Sequence, residues 1–322
     1  MPEVSVVIPT FNSARFLDEA LQSILDQSFK DYEIIVVDDG STDQTKQVVA
    51  RYGDKIKYIL QENSGPAAAK NNGIRNSSGK YIAFLDADDM WLPTKLEKQV
   101  KMFRQHPELA MVFTENVCFN EGGIYKTSLV KRSRLMNGDV AKNIFLYSGV
   151  ATPTVMVRKE IFDRVGLFEE KLYMAEDDNM WVRIAAKFKV ALIDEPLVRV
   201  RTHPQRATTD KKKLFEMVQT NIHLLSQRSE GVKERLENVI PLKLSQVQFS
   251  LGYHYFENCD FKGARKAFAK GISCYRWNWR NYLYLLLSFL PKKTIQRIKQ
   301  LKNKVLLPTI NSNREISYFR KW

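Results

Sequence analysis

The chain has 322 residues, 44% hydrophobic and 27% charged, which suggests about two domains with enough apolar material for a real core. Fifty Lys and Arg against 36 Asp and Glu leave a net charge of +14, which favours anionic partners such as phosphates, nucleic acid or an acidic membrane surface. The three cysteines, Cys118, Cys259 and Cys274, are far apart and form no CxxC, which argues against a disulfide frame or a zinc site and reads as a reducing compartment.

The opening MPEVSVVIPT lacks the basic start of a secretory leader, and VSVVIP (4–9) reads as a strand buried on both faces. Asn12 or Ser13 is placed to cap a helix running to about residue 27. YEIIVVDD (32–39) is a second strand, and Ser41 with Gln44 has capping-box spacing for a helix to about residue 52. KIKYIL (55–60) and KYIAFLD (80–86) are further strands, separated by a helix over 66–74. Pro93 then opens the helix LPTKLEKQVKMF. This alternation predicts an α/β fold with a mostly parallel sheet and right-handed crossovers. Ligands of such sheets sit beyond the carboxyl ends of the strands, where Asp38, Asp39, Asp86 and Asp88 all fall.

The middle is less regular. Strands are expected at 109–119 and 151–159, a short helix to Val165, a helix over 176–188, and two final strands within 189–202. RATTDKKK (206–213) reads as a basic linker, after which the pattern is almost wholly helical. The domain division expected is therefore 1–205 and 206–322. In the second part Leu251, Gly252, Tyr255, Ala264 and Phe268 stand at the offsets of one tetratricopeptide-like hairpin. YLYLLLSFL (282–290) is about half the ~20 residues that a membrane-spanning helix needs, so no crossing is expected.

Five segments carry candidate chemistry. In DAD, Asp86 and Asp88 are two apart, which on an extended segment puts both carboxylates on one side, as a hard divalent cation wants. In VVDDGSTD (36–43) capping accounts for Ser41 and Asp43 but not for both Asp38 and Asp39. In SGPAAAKNNGI (64–74) small residues let a helix lie close to the sheet, and Lys70 is either a solvated lysine or a counter-charge for a carboxylate or phosphate. Neither a Walker loop nor GxGxxG occurs: the nearest string, from Gly73 to Lys80, is one residue too long. In AEDDNMWVRIA (175–185) a helix start explains some acids, and a carboxylate facing a cleft could take a proton from an acceptor hydroxyl. In RVRTHPQRATT (199–209) Arg199, Arg201, His203 and Arg206 either form a basic loop or bind a diphosphate, with His203 also placed to ligate a metal.

VSVVIPTFN, DDGSTD, AKNNG, FLDADDMWLPTKLE and EDDNMWVR, in this order, resemble family 2 glycosyltransferases of the GT-A fold over roughly residues 3–205. The resemblance implies a Rossmann-like, mixed but mostly parallel sheet flanked by helices, followed here by a helical region. It implies inverting, metal-dependent transfer of one sugar from a nucleotide-diphospho-sugar, UDP being the expected nucleotide, with Mn²⁺ or Mg²⁺ as cofactor. By motif, Pro9, Thr10, Asn12, Asp38, Asp39, Lys70, Asp86 and Ala87 would meet the donor, and Asp86, Asp88 and His203 the metal. Asp177 would be the general base, with Glu176 and Trp181 shaping the acceptor site, while Arg201 belongs with the cations read as a basic loop or a diphosphate site. Lys70 stands where arginine is usual. SCYRW (273–277) lacks the glutamine of the processive QxxRW motif, so single-sugar transfer is expected. Two alternatives are a polyprenyl-phosphate sugar transferase of the same fold and a noncatalytic nucleotide-sugar-binding scaffold.

Residues 292–304, KKTIQRIKQLKNK, follow an aromatic stretch containing Trp277 and Trp279. An aromatic and basic amphipathic segment either reaches an anionic membrane surface through 277–305 or packs its apolar face on the catalytic domain with its charges solvated. With the first, a cytoplasmic protein, peripheral on the inner face of the membrane, is expected. Its acceptor would be a glycan or lipid-linked glycan of surface polysaccharide assembly. No nucleic-acid recognition motif is present.

Overall fold

A computed structural model describes residues 1–127, 135–203, 211–228, 231–291 and 294. Contacts divide the chain into two units, one of Met1–Thr209 with Gln227–Leu236 and the other of Asp210–Ser226 with Glu237–Trp322.

The first unit is built on one mixed sheet. Strands β1 (Val4–Thr10), β2 (Tyr32–Asp38), β3 (Ile56–Leu60) and β4 (Tyr81–Phe84) run parallel in the order β3-β2-β1-β4. Val4, Val6, Val7 and Ile8 of β1 are fully buried, as a central strand covered on both faces requires. Helices α1 (Ala14–Leu25), α2 (Thr45–Ala50) and α3 (Pro66–Arg75) form the crossovers. Beyond β4 the sheet continues through β8 (Met156–Arg158), β6 (Leu109–Asn120), β9 (Lys189–Arg201) and β5 (Met90–Trp91), with β7 (Gly123–Thr127) hairpinned onto β6. Helices α4 (Lys95–Gln105), α5 (Val140–Tyr147), α6 (Glu160–Val165) and α7 (Glu176–Lys187) accompany this half.

α3 approaches β1 closely because its residues are small. A Cβ on Gly73 would stand 2.3 Å from Val7 Cγ1, and one on Gly79, just past the helix, 2.6 Å from the Ser5 amide nitrogen. That approach carries Lys70 down to the carboxyl end of the sheet.

Several local expectations need correction. Neither Asn12 nor Ser13 makes a side-chain cap on α1; Asp43 reaches across to accept from the Ala14 amide. Asp43 also accepts from the Thr45 amide, and Ser41 Oγ accepts from the Asn12 amide, so no capping box opens α2. α4 starts at Lys95, not Pro93. The expected strand 151–159 is a 3₁₀ turn, Thr152–Thr154, followed by the three-residue β8. The two expected strands of 189–202 are one strand, β9, with a bulge at Pro196. From Thr114 to Asn116 is two steps on β6, while their partners Ile193 and Val198 are five apart on β9, so β9 carries three extra residues there.

The second unit contains α8 (Lys211–Gln227), which ends within the first unit's second segment, α10 (Ile240–Glu257), α11 (Phe261–Cys274) and α12 (Trp279–Leu287); α9 (Val232–Leu236) belongs to the first. The segment read as a helical hairpin holds α10 and α11. Asp260 caps α11 through the Gly263 amide, and Gly252 lies under Phe268, whose ring a Cβ would meet at 2.6 Å. Among the described residues no helix is long and apolar enough to cross a membrane.

Substituting Gly73→Ala should overpack the α3–β1 contact and lower stability by about 1–3 kcal/mol, read as a lower urea midpoint at an unchanged slope.

Candidate active site

The carboxyl ends of β2 and β4 bring two acidic segments, Asp38-Asp39 and Asp86 to Asp89, to one edge of the sheet beside the end of β1. Asp38 and Asp39 are both engaged by the protein. Asp38 accepts from the Ser41 amide (2.8 Å) and the Tyr58 hydroxyl (2.6 Å). Burial, and the Asp38 carboxylate beside it, hold that phenol above its ordinary pKa. Asp39 accepts from Gln61 Nε2 (2.7 Å) and the amides of Ser64 (2.9 Å) and Gly65 (2.8 Å), while its own amide donates to the Thr10 carbonyl. Asp39 thus fastens the loop before α3 to the end of β1. Gly65, at φ +90°, sits in the region that favours glycine, which is why Ser-Gly-Pro occurs there. Asn12 does similar work: its Oδ1 accepts from the Thr42 and Asp43 amides. Thr10 Oγ1, by contrast, is buried without a hydrogen-bond partner, next to Pro9 at the same edge.

After β4 the chain turns rather than staying extended. The Asp89 amide donates to the Asp86 carbonyl at 3.0 Å, so residues 86–89 form a tight turn around the buried Ala87. The expectation that Asp86 and Asp88 face the same way therefore fails. Asp88 Oδ2 meets His203 Nε2 at 2.9 Å, whereas Asp86 lies in the field of Lys70. Asp89 is buried and accepts from the Arg201 amide.

Lys70 is neither solvated nor a free hand for phosphate. It is buried, and its Nζ donates to Glu176 Oε1 at 2.7 Å, both side chains being within a tenth of full burial. Burial opposes the ammonium charge, but Glu176, with Asp86 and Asp177, more than offsets it and holds the pKa above the usual lysine value. Asp177 comes next along α7. The Thr152 hydroxyl donates to its Oδ2 at 3.2 Å and the Asp178 amide to its Oδ1 at 2.7 Å. Burial, with Glu176 and Asp178 repelling a second and third negative charge, pushes Asp177 up to about 8, against the opposing pull of Lys70. Ala175, just before this helix, has φ +64°, a left-handed conformation that costs an alanine about 1–3 kcal/mol and is held by its surroundings.

One of the residues expected at the acceptor is elsewhere. Trp181 is fully buried among Phe84 and Phe168, a core residue rather than a wall of the site. Arg183 of the same motif donates to the carbonyls of Val165 and Leu167, so both are explained by packing. Arg201, read with the diphosphate cations, lies between the rings of Phe16 and Phe119, pairs with Glu19 and donates through Nε to the Asp88 carbonyl at 3.0 Å. Arg206 lies outside the described residues.

Thr152 and Tyr58 were not anticipated. Each is a single hydroxyl residue on an element remote in sequence from its carboxylate, and nothing in the local pattern marks it.

The donors present fit a divalent cation. Asp88 Oδ2 and His203 Nε2 stand 2.9 Å apart, a hydrogen-bond distance that is also about the spacing of two adjacent ligands of an octahedral ion at 2.0–2.1 Å. His203 Nδ1 is buried without a partner. No group of three or more His, Cys, Asp or Glu side chains suited to a metal occurs among the described residues, so further ligands would come from a bound molecule.

The mixed α/β sheet with its flanking helices has the GT-A-like fold of its structural neighbours. Residues 5–166 match the family Glycosyl transferase family 2, and the chain belongs to that family. It is 39% identical over 201 residues to an uncharacterized glycosyltransferase of Rickettsia conorii, an alignment covering 62% of this chain but only 33% of that one, so the chain spans about a third of that relative's length. The S. aureus TarS 1–349 structure in complex with UDP-GlcNAc superposes with a TM-score of 0.60 at 19% identity, over 93% of this chain and 92% of that one. The mannosyltransferase PcManGT from Pyrobaculum calidifontis, in complex with GDP-Man and Mn²⁺, does so with a TM-score of 0.62 at 17% identity, over 95% and 81%.

Replacing one partner of the buried pair, as in Lys70→Met, should cost about 3–5 kcal/mol, and the double change Lys70→Met/Glu176→Leu should recover much of it, as chemical denaturation would show. Asp177 contributes in the opposite sense. Its folded pKa of about 8 lies above its unfolded value near 3.8. The folded state therefore binds the extra proton between these values, and stability falls as pH rises through that window. Asp177→Asn should accordingly match wild type at pH 4 and melt higher at pH 8.

Proposed function

We propose that the chain is a metal-dependent inverting glycosyltransferase that moves one sugar from a UDP-sugar to a hydroxyl of a glycan or lipid-linked acceptor in surface polysaccharide biosynthesis. The observation that carries the reading is Asp177, a carboxylate with a raised pKa beside the Lys70–Glu176 pair and within the field around Asp86. A general base works best with a pKa near the working pH, and this one is tuned there by burial and like charge. Donor complexes of the structural neighbours, UDP-GlcNAc in TarS and GDP-Man with Mn²⁺ in PcManGT, support a nucleotide-sugar donor in this fold.

In this reading the nucleotide lies along the carboxyl ends of β1 and β2, where the Thr10 hydroxyl has a free hydrogen-bonding capacity and Asp39 orders the loop from Gln61 to Gly65. Asp88 and His203 would hold Mn²⁺ or Mg²⁺, which neutralises charge on a departing nucleoside diphosphate. Asp177 takes the acceptor hydroxyl proton as that oxygen attacks the anomeric carbon opposite the leaving diphosphate, inverting the centre. Thr152 orients the carboxylate, and Lys70 tempers its rise in pKa without neutralising it, because Glu176 occupies the ammonium.

The test is calorimetric titration of UDP, GDP and dTDP with and without Mn²⁺. Metal-dependent binding of UDP by wild type is expected, lost in Asp88→Ala/His203→Ala; absence of binding to all three by folded protein would overturn the donor site. With a nucleotide assigned, its sugar derivatives can be screened for turnover. Asp177→Asn should then lose about 10²–10⁴-fold in kcat, and wild-type kcat/KM should rise with pH through neutrality towards about 8, the value of the free base. Near-normal turnover by Asp177→Asn would point instead to an acceptor that is already an anion, such as a polyprenyl phosphate.

A further inference from the structure

α12 carries apolar residues on both of its sides: Tyr284, Leu285 and Leu287 pack inward with Phe249, Phe256 and Phe268. Its inward residues include polar ones: Asn281 is fully buried and donates to Ser245, and Asn278 just before the helix and Ser288 just after it are buried too. The fit is tight, since a Cβ on Gly271 would stand 2.5 Å from Asn281 Oδ1. The outward residues are apolar. Trp279 is 63% exposed, Leu286 69% and Phe289 68%, with Tyr282 and Leu283 exposed between them and Trp277, 70% exposed, just ahead. From Trp279, Tyr282, Leu283 and Leu286 fall at i+3, i+4 and i+7, one face of α12, and Phe289 follows in the turn just after the helix. A contiguous apolar face of this kind marks an interaction surface.

The charge around the face identifies what covers it. Arg276 stacks over Trp277 at 4.9 Å and Arg280 over Trp279 at 5.9 Å. From Cys274 to Arg314 the sequence has nine Lys or Arg and no Asp or Glu. A second copy placed on this face would set two such cationic segments against each other, a repulsive arrangement. An anionic bilayer surface satisfies both features: it takes the aromatic and aliphatic side chains at the headgroup boundary and attracts the flanking cations. We infer that α12, with the residues on either side of it, is a docking element that seats the protein on an anionic membrane. α12 belongs to the second unit and the residues of the donor site to the first, so the inference does not rest on glycosyl transfer. The amphipathic reading of 292–304 lies outside the described residues, and only the charge of that segment enters here.

The test uses the full chain with vesicles of phosphatidylcholine alone or with one quarter phosphatidylglycerol, read by co-sedimentation. Binding is expected to the anionic vesicles, at least tenfold tighter than to the neutral ones, and weaker at high salt. Brominated acyl chains should quench tryptophan emission in wild type and much less in Trp277→Phe/Trp279→Phe. Leu286→Glu/Phe289→Glu should reduce vesicle affinity at least tenfold. Circular dichroism and nucleotide titration of that variant should match wild type, which separates a lost surface from a lost fold. No vesicle binding, or equal binding by wild type and the glutamate variant, would overturn the inference. So would a concentration-dependent dimer abolished by the same variant, since the occupant would then be a second copy.

Discussion

One buried ammonium organises the acidic end of this sheet. Lys70 is the counter-charge to Glu176, and Asp86 and Asp177 also lie in its field, so a single positive charge serves three carboxylates. Taking these groups out of water is costly, and the short Lys70–Glu176 contact repays part of it. The rest of the architecture can be understood as delivering Lys70 to that place. Small residues let α3 lie against β1, the Gly65 turn starts the helix at the correct height, and Asp39 ties that turn to β1 and β2. The imbalance left over has a chemical expression in the raised pKa of Asp177 and in an edge ready for further positive charge.

The aspartates divide by what their hydrogen bonds hold. Asp38, Asp39 and Asp43 each accept two or three hydrogen bonds from main chain or neighbouring side chains and fix the loops around the edge. Asp88 is matched by one imidazole, and Asp177 accepts from one hydroxyl and one amide, as many bonds as Asp38. The first set makes the loops of the edge rigid, a support that a ligand-binding site needs.

Much of this was legible in the sequence where one signal dominated. The β-branched runs at 4–9 and 32–39 gave strands because strand propensity, burial on both faces and flanking turns agree there. The small-residue run before Asn71 indicated close helix packing, which Gly73 against Val7 explains. The reading weakened where partners come from afar. Ser41 and Gln44 satisfy a local rule, but tertiary bonds from Asn12 and Asp43 claim that loop instead. Asp86 and Asp88 share a face only in an extended chain, and one hydrogen bond from the Asp89 amide converts that chain to a turn. Trp181 looked like part of a functional motif because its neighbours Glu176 and Asp177 are polar, yet its own helical phase turns it into the aromatic core. Thr152 reached Asp177 through folding alone.

The bulge in β9 decides more than the path of one strand. Ahead of it Ile193 faces the core; beyond it Val198 and Val200 do, because three extra residues reverse the parity of the strand. Arg201 owes its place between Phe16 and Phe119, and His203 its approach to Asp88, to that reversal. The stretch from Asp194 to Leu197 therefore acts as a reading frame for everything downstream. Loss of one residue there, far from the acidic edge, would trade Val200 for Arg201 and misplace the imidazole without altering any residue that touches it. Within this strand, chain length is as much a part of the site as side-chain identity.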